Sequence, residues 1–148
     1  MRQSVLRAIP RLVGLLFLCA AIDKLIYPAQ AITALEALRL QQAWADAMIF
    51  GTIALELYLG LILLLHVDLK WGLAASMVLM FVFVLFMWYL SMQATPPSCG
   101  CLGLTHLFNS AKHEALFGLL RNCVILWLLK LAYDHYFGAP TRAQAKAA

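Results

Sequence analysis

Residues 45–91 decide the fold, and they read ADAMIFGTIALELYLGLILLL, then HVDLK, then WGLAASMVLMFVFVLFMWYLS. Two apolar runs of 21 residues therefore flank a five-residue break. A helix of about 20 apolar residues crosses the hydrocarbon core of a bilayer. Because backbone groups in hydrocarbon must be hydrogen-bonded within their own segment, runs of this length predict membrane-spanning helices.

The composition of the whole chain agrees with that interpretation. Of 148 residues, 64% are hydrophobic and only 12% are charged, whereas a soluble domain carries about 25% charged residues. This excludes an ordinary soluble enzyme domain and makes the lipid bilayer the main partner. The net charge of +4 is not arranged in a basic stripe, so nucleic acid is not expected as a partner.

Scanning outward from 45–91 predicts four spans in a single membrane domain, residues 1–148: 9–27, 45–65, 71–91 and 115–133. The fold class is therefore all-α, an integral membrane four-helix bundle. The first span has the basic flank of a signal peptide, but Leu18 before Cys19 does not suit a lipoprotein cleavage site, and we expect a retained helix. Ala31, Leu35 and Leu38 recur at helical spacing and predict a short amphipathic helix on the outer face, between the first two spans. The tail, 138–148, is expected to be a solvated cytoplasmic end.

The distribution of Lys and Arg predicts the orientation of the helices. With both termini in the cytoplasm, seven basic residues lie inside and four lie outside or in the outer half of a helix. An excess of basic residues is typical of cytoplasmic loops. We therefore expect the connections 28–44 and 92–114 to face outward. The inner residues are Arg2, Arg7, Arg11, Lys70, Lys130, Arg142 and Lys146; the outer ones are Lys24, Arg39, Lys112 and Arg121.

The connection 92–114 contains the sharpest chemical signal, Cys99-Gly100-Cys101. A disulfide between cysteines one residue apart closes a small ring with an unfavourable dihedral angle. Gly100 eases that strain because it adopts positive φ at little cost. Strained, exposed disulfides are typically catalytic or regulatory. The pattern favours thiol–disulfide chemistry. The alternatives are a soft-metal site completed by His106 or His113 and a pair of unrelated thiols. Since the redox interpretation is preferred, no residue is assigned as a metal ligand.

Buried charge is the second signal. Glu56 lies near the middle of its span, where an unpaired carboxylate is costly. Arg121 is the preferred cation to pair with it, and Lys24 a second one. We expect Glu56, Arg121, Lys24 and Asn122 to form a polar floor beneath the cysteine loop. That floor could exchange protons, or it could bind the head of a ligand such as a quinone, with Glu56, Arg121 and Asn122 as contacts. The alternative is a charge pair that only orients the helices.

Two further cysteines lie within the spans. Cys19 and Cys123 are each eight residues from the outer end of their predicted helices. If the first and fourth spans pack together, these thiols could form a second pair that relays electrons toward the lipid phase. The alternative, which we favour, is that they are ordinary apolar residues of the helices.

Together these motifs make the chain similar to the DoxX-like superfamily, and within it to the methylamine utilisation protein MauE and its redox-associated relatives. The matching elements are Asp23-Lys24-Leu25-Ile26-Tyr27-Pro28, Glu56-Leu57-x-Leu59-Gly60, Cys99-Gly100-Cys101-Leu102-Gly103 and Arg121-Asn122, in that order. They extend over nearly the whole chain, and the pairing of the cysteine motif with Arg-Asn about twenty residues later is the most specific element. Ile22 and Leu102 depart from residues common in the family, but neither change removes a thiol or a charge.

The resemblance implies a bacterial inner-membrane protein that supports disulfide formation in periplasmic or exported partners, often beside a thioredoxin-like protein. The residues predict the same chemistry, that of a thiol–disulfide oxidoreductase, with Cys99 and Cys101 exchanging and with Arg121, Glu56 and Lys24 assisting. No cofactor is certain, although a quinone would suit as acceptor. Two alternatives remain open: a non-catalytic subunit of a larger membrane complex with a structural Cys99–Cys101 bridge, and a soft-metal-handling protein.

Overall fold

The computed structural model describes residues 2–36, 41–93 and 111–138. These residues form five α-helices and no strand. The helices are α1 (Arg2–Ile26), α2 (Pro28–Glu36), α3 (Gln42–Leu65), α4 (Leu69–Ser91) and α5 (Ala111–Phe137). The all-α fold class is confirmed. Four long helices coincide with the four predicted spans, and α2 lies between the first two of them.

Three segments of the described chain are long and apolar enough to cross a membrane: Gln42–Leu65, Leu69–Ser91 and Leu116–Phe137. Helix α1 has 25 residues, which is enough for a crossing, but it carries Arg11, Asp23 and Lys24 and is not among the three. Charged residues weaken a hydropathy signal without shortening the helix. The crossing by α1 therefore stays a prediction.

The long helices extend beyond the predicted spans. Helix α1 begins at Arg2, seven residues before its span, and α5 begins at Ala111 and ends at Phe137, four residues beyond its span at each end. Hydropathy reports only the part of a helix that suits lipid, whereas helical hydrogen bonding continues into the polar interface. The C-terminal ends of α3 and α4, Leu65 and Ser91, match the predictions.

Helices α1 and α3 cross in direct backbone contact. A Cβ atom built on Gly14 would lie 2.8 Å from the carbonyl oxygen of Gly60, and one on Gly60 would lie 2.9 Å from the carbonyl oxygen of Gly14. Small residues allow helices in membranes to approach this closely and to gain dispersion energy. The contact sets the position of α1 against α3.

Around that crossing the interior is apolar. Val13, Leu63, Leu73 and Leu129, one from each long helix, are at most 2% exposed and belong to one buried cluster. Such interiors are packed about as densely as organic crystals. We call this region, which also includes Gly14 and Gly60, the packed half of the bundle.

A turn of only three residues, His66–Asp68, joins α3 to α4. His66 ends α3 in the left-handed conformation, with φ of 57°, and its backbone N–H donates to the carbonyl of Ile62. Asp68 is also left-handed, with φ of 44°. Glycine normally takes such positions, so the chain accepts a local cost in order to make a short turn. The turn fixes α3 and α4 as an antiparallel hairpin.

Helix α2 confirms the predicted short helix between the first two spans. Pro28 is its first residue, where proline is favoured because its missing N–H would have no helical partner. Ala31, Ile32 and Leu35 pack against a buried cluster from α1 and α3, while Ala34 joins a cluster with Met87 and Leu90 of α4. The apolar face of α2 therefore covers the ends of other helices. Leu38 lies outside the described residues.

Candidate functional site

A buried ion pair links α1 to α3. The Lys24 ammonium donates to both carboxylate oxygens of Glu56, with Nζ 2.6 Å from Oε1 and 2.8 Å from Oε2. The Glu56 side chain is 1% exposed and that of Lys24 is 15% exposed. Lys24 lies two residues before the end of α1, and its long side chain extends inward from there. Because both charges are compensated, Glu56 is tolerated inside a membrane-spanning helix.

An aromatic ring from α4 completes the surroundings of this ion pair. The Lys24 Nζ lies 5.6 Å from the centroid of the Phe83 ring, within the range of a cation–π interaction. Residues of α1, α3 and α4 thus converge on one ammonium group. The pair therefore fixes the relative positions of three helices.

Arg121 and Asn122 form the second polar group, on α5. The Arg121 Nε and Nη2 both donate to Asn122 Oδ1, at 3.4 Å and 3.2 Å. These distances exceed the usual 2.9–3.0 Å of an N–H···O bond, so the contact is weak. Arg121 forms no salt bridge with any carboxylate of the described residues, although its charge acts on Glu56 through space. Among the described side chains, Arg121 therefore has no direct counter-ion.

Both polar groups line one cavity of about 450 Å³. The walls of the cavity are mainly apolar, and all five helices contribute to them. The apolar lining includes Leu16, Phe17 and Ala20 of α1; Ala31, Ala34 and Leu35 of α2; Met48 and Ile49 of α3; Phe83 and Phe86 of α4; and Ile125 of α5. Pockets of a few hundred cubic ångströms with few polar groups are typical of small-molecule sites. We call the region that holds Lys24, Glu56, Arg121, Asn122 and this space the cavity half.

The structure brings together four of the residues singled out from the sequence. Lys24, Glu56, Arg121 and Asn122 share the cavity, but the expected order of partners is reversed. Glu56 bonds Lys24 directly, whereas Arg121, the preferred partner, bonds Asn122. Counting residues along a helix gave depth but not side-chain reach, and reach allows Lys24 to pair from the helix end.

The cysteines are placed differently. Cys19 and Cys123 are free thiols, both exposed, and are not bonded to each other, although α1 and α5 are in contact. The relay between them stays a prediction. Cys99 and Cys101 lie outside the described residues, as does His106. Within the described ranges, no three His, Cys, Asp or Glu side chains are grouped as a metal site requires.

Comparison with known proteins identifies the family. The family model described as methylamine utilisation protein MauE matches residues 2–133. The chain belongs to this family. The match includes α1, α3 and α4, helix α5 as far as Tyr133, and every residue of the cavity, so the resemblance drawn from four short motifs is confirmed. No curated protein and no solved structure matches this MauE family member.

This MauE family member is a multi-pass membrane protein. Its outer surface carries large apolar side chains, among them Phe50, Tyr58, Val78 and Trp127, each at least 60% exposed. A soluble monomer rarely exposes so much contiguous apolar surface. Trp44 and Trp71, near the starts of α3 and α4, are 65% and 75% exposed, as expected of residues at the lipid–water interface. Lipid therefore contacts most of the surface.

Several lining residues were not found from the sequence. Phe83 lies in an unbroken apolar run, where nothing distinguishes a ring that faces Lys24 from rings that face lipid. The contribution of α2 had a usable signal, because the spacing of Ala31 and Leu35 showed an apolar face. That spacing indicated a helix lying on the membrane, but it did not show that the face would close a cavity.

Proposed function

We propose that this MauE family member is a membrane thiol–disulfide redox protein that supports disulfide formation in exported partner proteins. The observation that carries the proposal is the position of the cavity relative to Cys99-Gly100-Cys101 in the chain. The cavity is lined by Met87 and Tyr89, near the last residue of α4, and by Arg121 and Asn122 of α5. The cysteine motif belongs to the segment that joins these two helices.

The proposed topology is one domain of four spans in a bacterial inner membrane. Helix α1 would cross the bilayer with the other three long helices, and α2 would lie at the outer face. Both termini would be cytoplasmic and the cysteine segment periplasmic, in agreement with the excess of Lys and Arg at the other end of the bundle. An oxidising compartment is where a Cys99–Cys101 disulfide would persist.

The proposed reaction is an exchange of one disulfide for another. A thiolate of the partner attacks the Cys99–Cys101 bond and forms a mixed disulfide. The partner's second thiolate then attacks the mixed disulfide and releases the cysteine of this chain, which leaves the partner oxidised and Cys99 and Cys101 reduced. A nearby cation, Arg121 or Lys24, would favour the thiolate form, and Glu56 would exchange protons. The thioredoxin-like or disulfide-containing proteins expected beside such a chain are suitable partners.

Reoxidation of the two thiols releases two electrons and two protons, which is the number that converts one quinone to its quinol. A quinone of the membrane would therefore balance the cycle as electron acceptor. Cys19 and Cys123 would act as the relay only if they approach each other during turnover.

The test is a redox titration of the full chain in detergent, with thiol alkylation and mass shift measured across glutathione ratios. We expect Cys99 and Cys101 to titrate reversibly, at a potential above about −300 mV, where exchangeable disulfides lie. The Cys99→Ser, Cys101→Ser protein should no longer oxidise a reduced thioredoxin-like substrate. The matched control is Cys19→Ser, Cys123→Ser, which should still exchange disulfides with the partner. Its reoxidation by a quinone should be lost only if Cys19 and Cys123 act as the relay.

Two results would contradict the proposal. A pair that stays oxidised at every ratio would be a structural bridge, as in an accessory subunit of a membrane complex. A pair that never oxidises but is protected from alkylation by zinc or copper would indicate handling of a soft metal instead.

A further inference from the structure

The cavity is unusual in the kind of polar group that it leaves available. Both carboxylate oxygens of Glu56 already accept hydrogen bonds from Lys24. Arg121 carries five N–H donors, and the structure uses its Nε and Nη2 toward one amide oxygen. The Asn122 amide nitrogen makes no hydrogen bond to another described residue. Among these four side chains, free hydrogen-bond donors therefore exceed free acceptors.

We infer that this cavity is the binding site of a quinone, whose carbonyl oxygens accept hydrogen bonds from Arg121 and Asn122. The inference deepens the proposed function and rests on it for the choice of a redox-active ligand. A quinone ring carries two carbonyl acceptors and no donor, which complements a lining that offers donors. Its ring and apolar substituent suit walls of aliphatic and aromatic side chains.

The ion pair has a separate role in this site. Lys24 and Glu56 compensate each other and Phe83 packs beside the ammonium, so ligand binding need not break a salt bridge. A preformed polar site loses little energy to reorganisation. Lys24 and Glu56 are therefore positioning residues that hold α1, α3 and α4 in place around the cavity, while Arg121 and Asn122 contact the ligand.

Among the described residues, no carboxylate forms a salt bridge with Arg121, and this strengthens the argument for a ligand. A cation inside a membrane protein is costly unless it is hydrogen-bonded or paired. Its single weak contact, to Asn122 Oδ1, satisfies little of that requirement. A carbonyl oxygen within the cavity would add a charge-assisted hydrogen bond, which is roughly twice as strong as a neutral one.

The experiment is photoaffinity labelling of the full chain in lipid nanodiscs with an azido-benzoquinone that carries a decyl chain. Labelled peptides are mapped by mass spectrometry, and unlabelled decyl-benzoquinone competes. We expect labels on peptides that line the cavity. Arg121→Gln should weaken competition about tenfold or more, the equivalent of one hydrogen bond to a charged group. Arg121→Lys keeps a cationic donor, and competition should be stronger in it than in Arg121→Gln, though less strong than in the wild type.

Two variants complete the design. Lys130→Gln removes a cation from an exposed position on the same helix and should change competition less than about twofold, since Lys130 does not line the cavity. Ala20→Phe fills the cavity from α1 without changing charge and should abolish specific labelling. Each variant is used only if it elutes as a single species in size-exclusion chromatography, and Ala20→Phe serves if Arg121→Gln does not fold.

The outcomes separate this inference from the proposed function. Labelling that is insensitive to Arg121→Gln and Ala20→Phe overturns the inference. So does competition by dodecanoate in place of the quinone, which would make the cavity a carboxylate site. The Cys99→Ser, Cys101→Ser protein should still be labelled at the cavity. Labelling of the cavity without disulfide exchange by the wild-type cysteines would support the quinone site and contradict the proposed thiol chemistry. Disulfide exchange without labelling would support the thiol chemistry and contradict the quinone site.

Discussion

In the packed half of the bundle, α1 and α3 touch backbone to backbone at Gly14 and Gly60, whereas in the cavity half the same two helices are joined by the side chains of Lys24 and Glu56. The first contact is short and apolar. The second is polar and lies beside a space of about 450 Å³. The comparison shows how one helix pair supports both rigidity and a binding space: the glycine crossing fixes the two helices, and the ion pair forms part of the lining of the cavity.

The largest effect is expected when one member of the ion pair is removed. Lys24→Met leaves the Glu56 carboxylate buried without a partner, which should destabilise the fold by about 3–5 kcal/mol. The double variant Lys24→Met, Glu56→Leu should recover most of that loss, because two apolar side chains need no partner. The free energy of unfolding of the wild type, of both single variants and of the double variant is measured by titration with a denaturing detergent. Additive losses in the double variant would mean that the two charges are not coupled.

Substitution at the glycine crossing should have the next largest effect. A Cβ atom at Gly14 would meet backbone atoms of α3 at 2.8 Å and 3.0 Å, and backbone cannot move aside as a side chain can. Gly14→Ala should therefore cost about 1–3 kcal/mol, as overpacking typically does. Gly51 of α3 has nothing within 4 Å of its Cβ position, so Gly51→Ala is the matched control and should be neutral or stabilising. Equal losses in both variants would contradict close packing at the crossing.

The contact between Lys24 and Phe83 should contribute less. Phe83→Leu keeps an apolar side chain but removes the ring that faces the ammonium, for an expected loss of about 1 kcal/mol. Phe81 is exposed on the same helix, and Phe81→Leu should have little effect. Because Phe83 also packs against the buried cluster, the cation–π term is only the part of the difference between the two variants, measured in the same titration, that depends on Lys24. It should vanish in a Lys24→Met background.

The smallest effect on stability is expected at Arg121. Because the guanidinium has no salt bridge among the described residues, Arg121→Gln should change the free energy of unfolding by less than about 0.5 kcal/mol or increase it. That result would separate Arg121 from Lys24 and Glu56, which are needed for the fold. A loss as large as that of Lys24→Met would make Arg121 a structural residue of the same cluster.

The sequence predicted the long helices because their signal is local. Apolar runs report the preference of each segment for lipid, and Glu56 or Arg121 within such a run is visible as an exception. The partner of Glu56 was harder to predict, since it depends on how far the Lys24 side chain reaches between two helices that are distant in sequence. The cavity had no signal at all, because a space is defined by the packing of five helices and not by any one of them.

The closeness of α1 to α3 was also not predicted. Gly14 and Gly60 each occur in an apolar run, as does Gly51, and nothing in the sequence distinguishes the two that touch from the one that faces open space. Helical spacing places residues on a face, but the crossing point depends on the rotation and tilt of both helices. The cysteine chemistry lies outside the described residues and still rests on the motif itself.

The three-residue turn between α3 and α4 bears on how the molecule adapts to membranes of different thickness. Three extended residues reach at most about 11 Å, so these two helices cannot shift far past each other along the bilayer normal. Helix α1 is connected to α3 through α2 and is held to it by the glycine crossing and the ion pair, whereas α4 and α5 are connected by a longer stretch of sequence. In a thicker or thinner bilayer, hydrophobic mismatch is relieved by helix tilt. The α3–α4 hairpin and α1 would therefore tilt together, and the thickness of the bilayer would act on the space that these three helices enclose with α5.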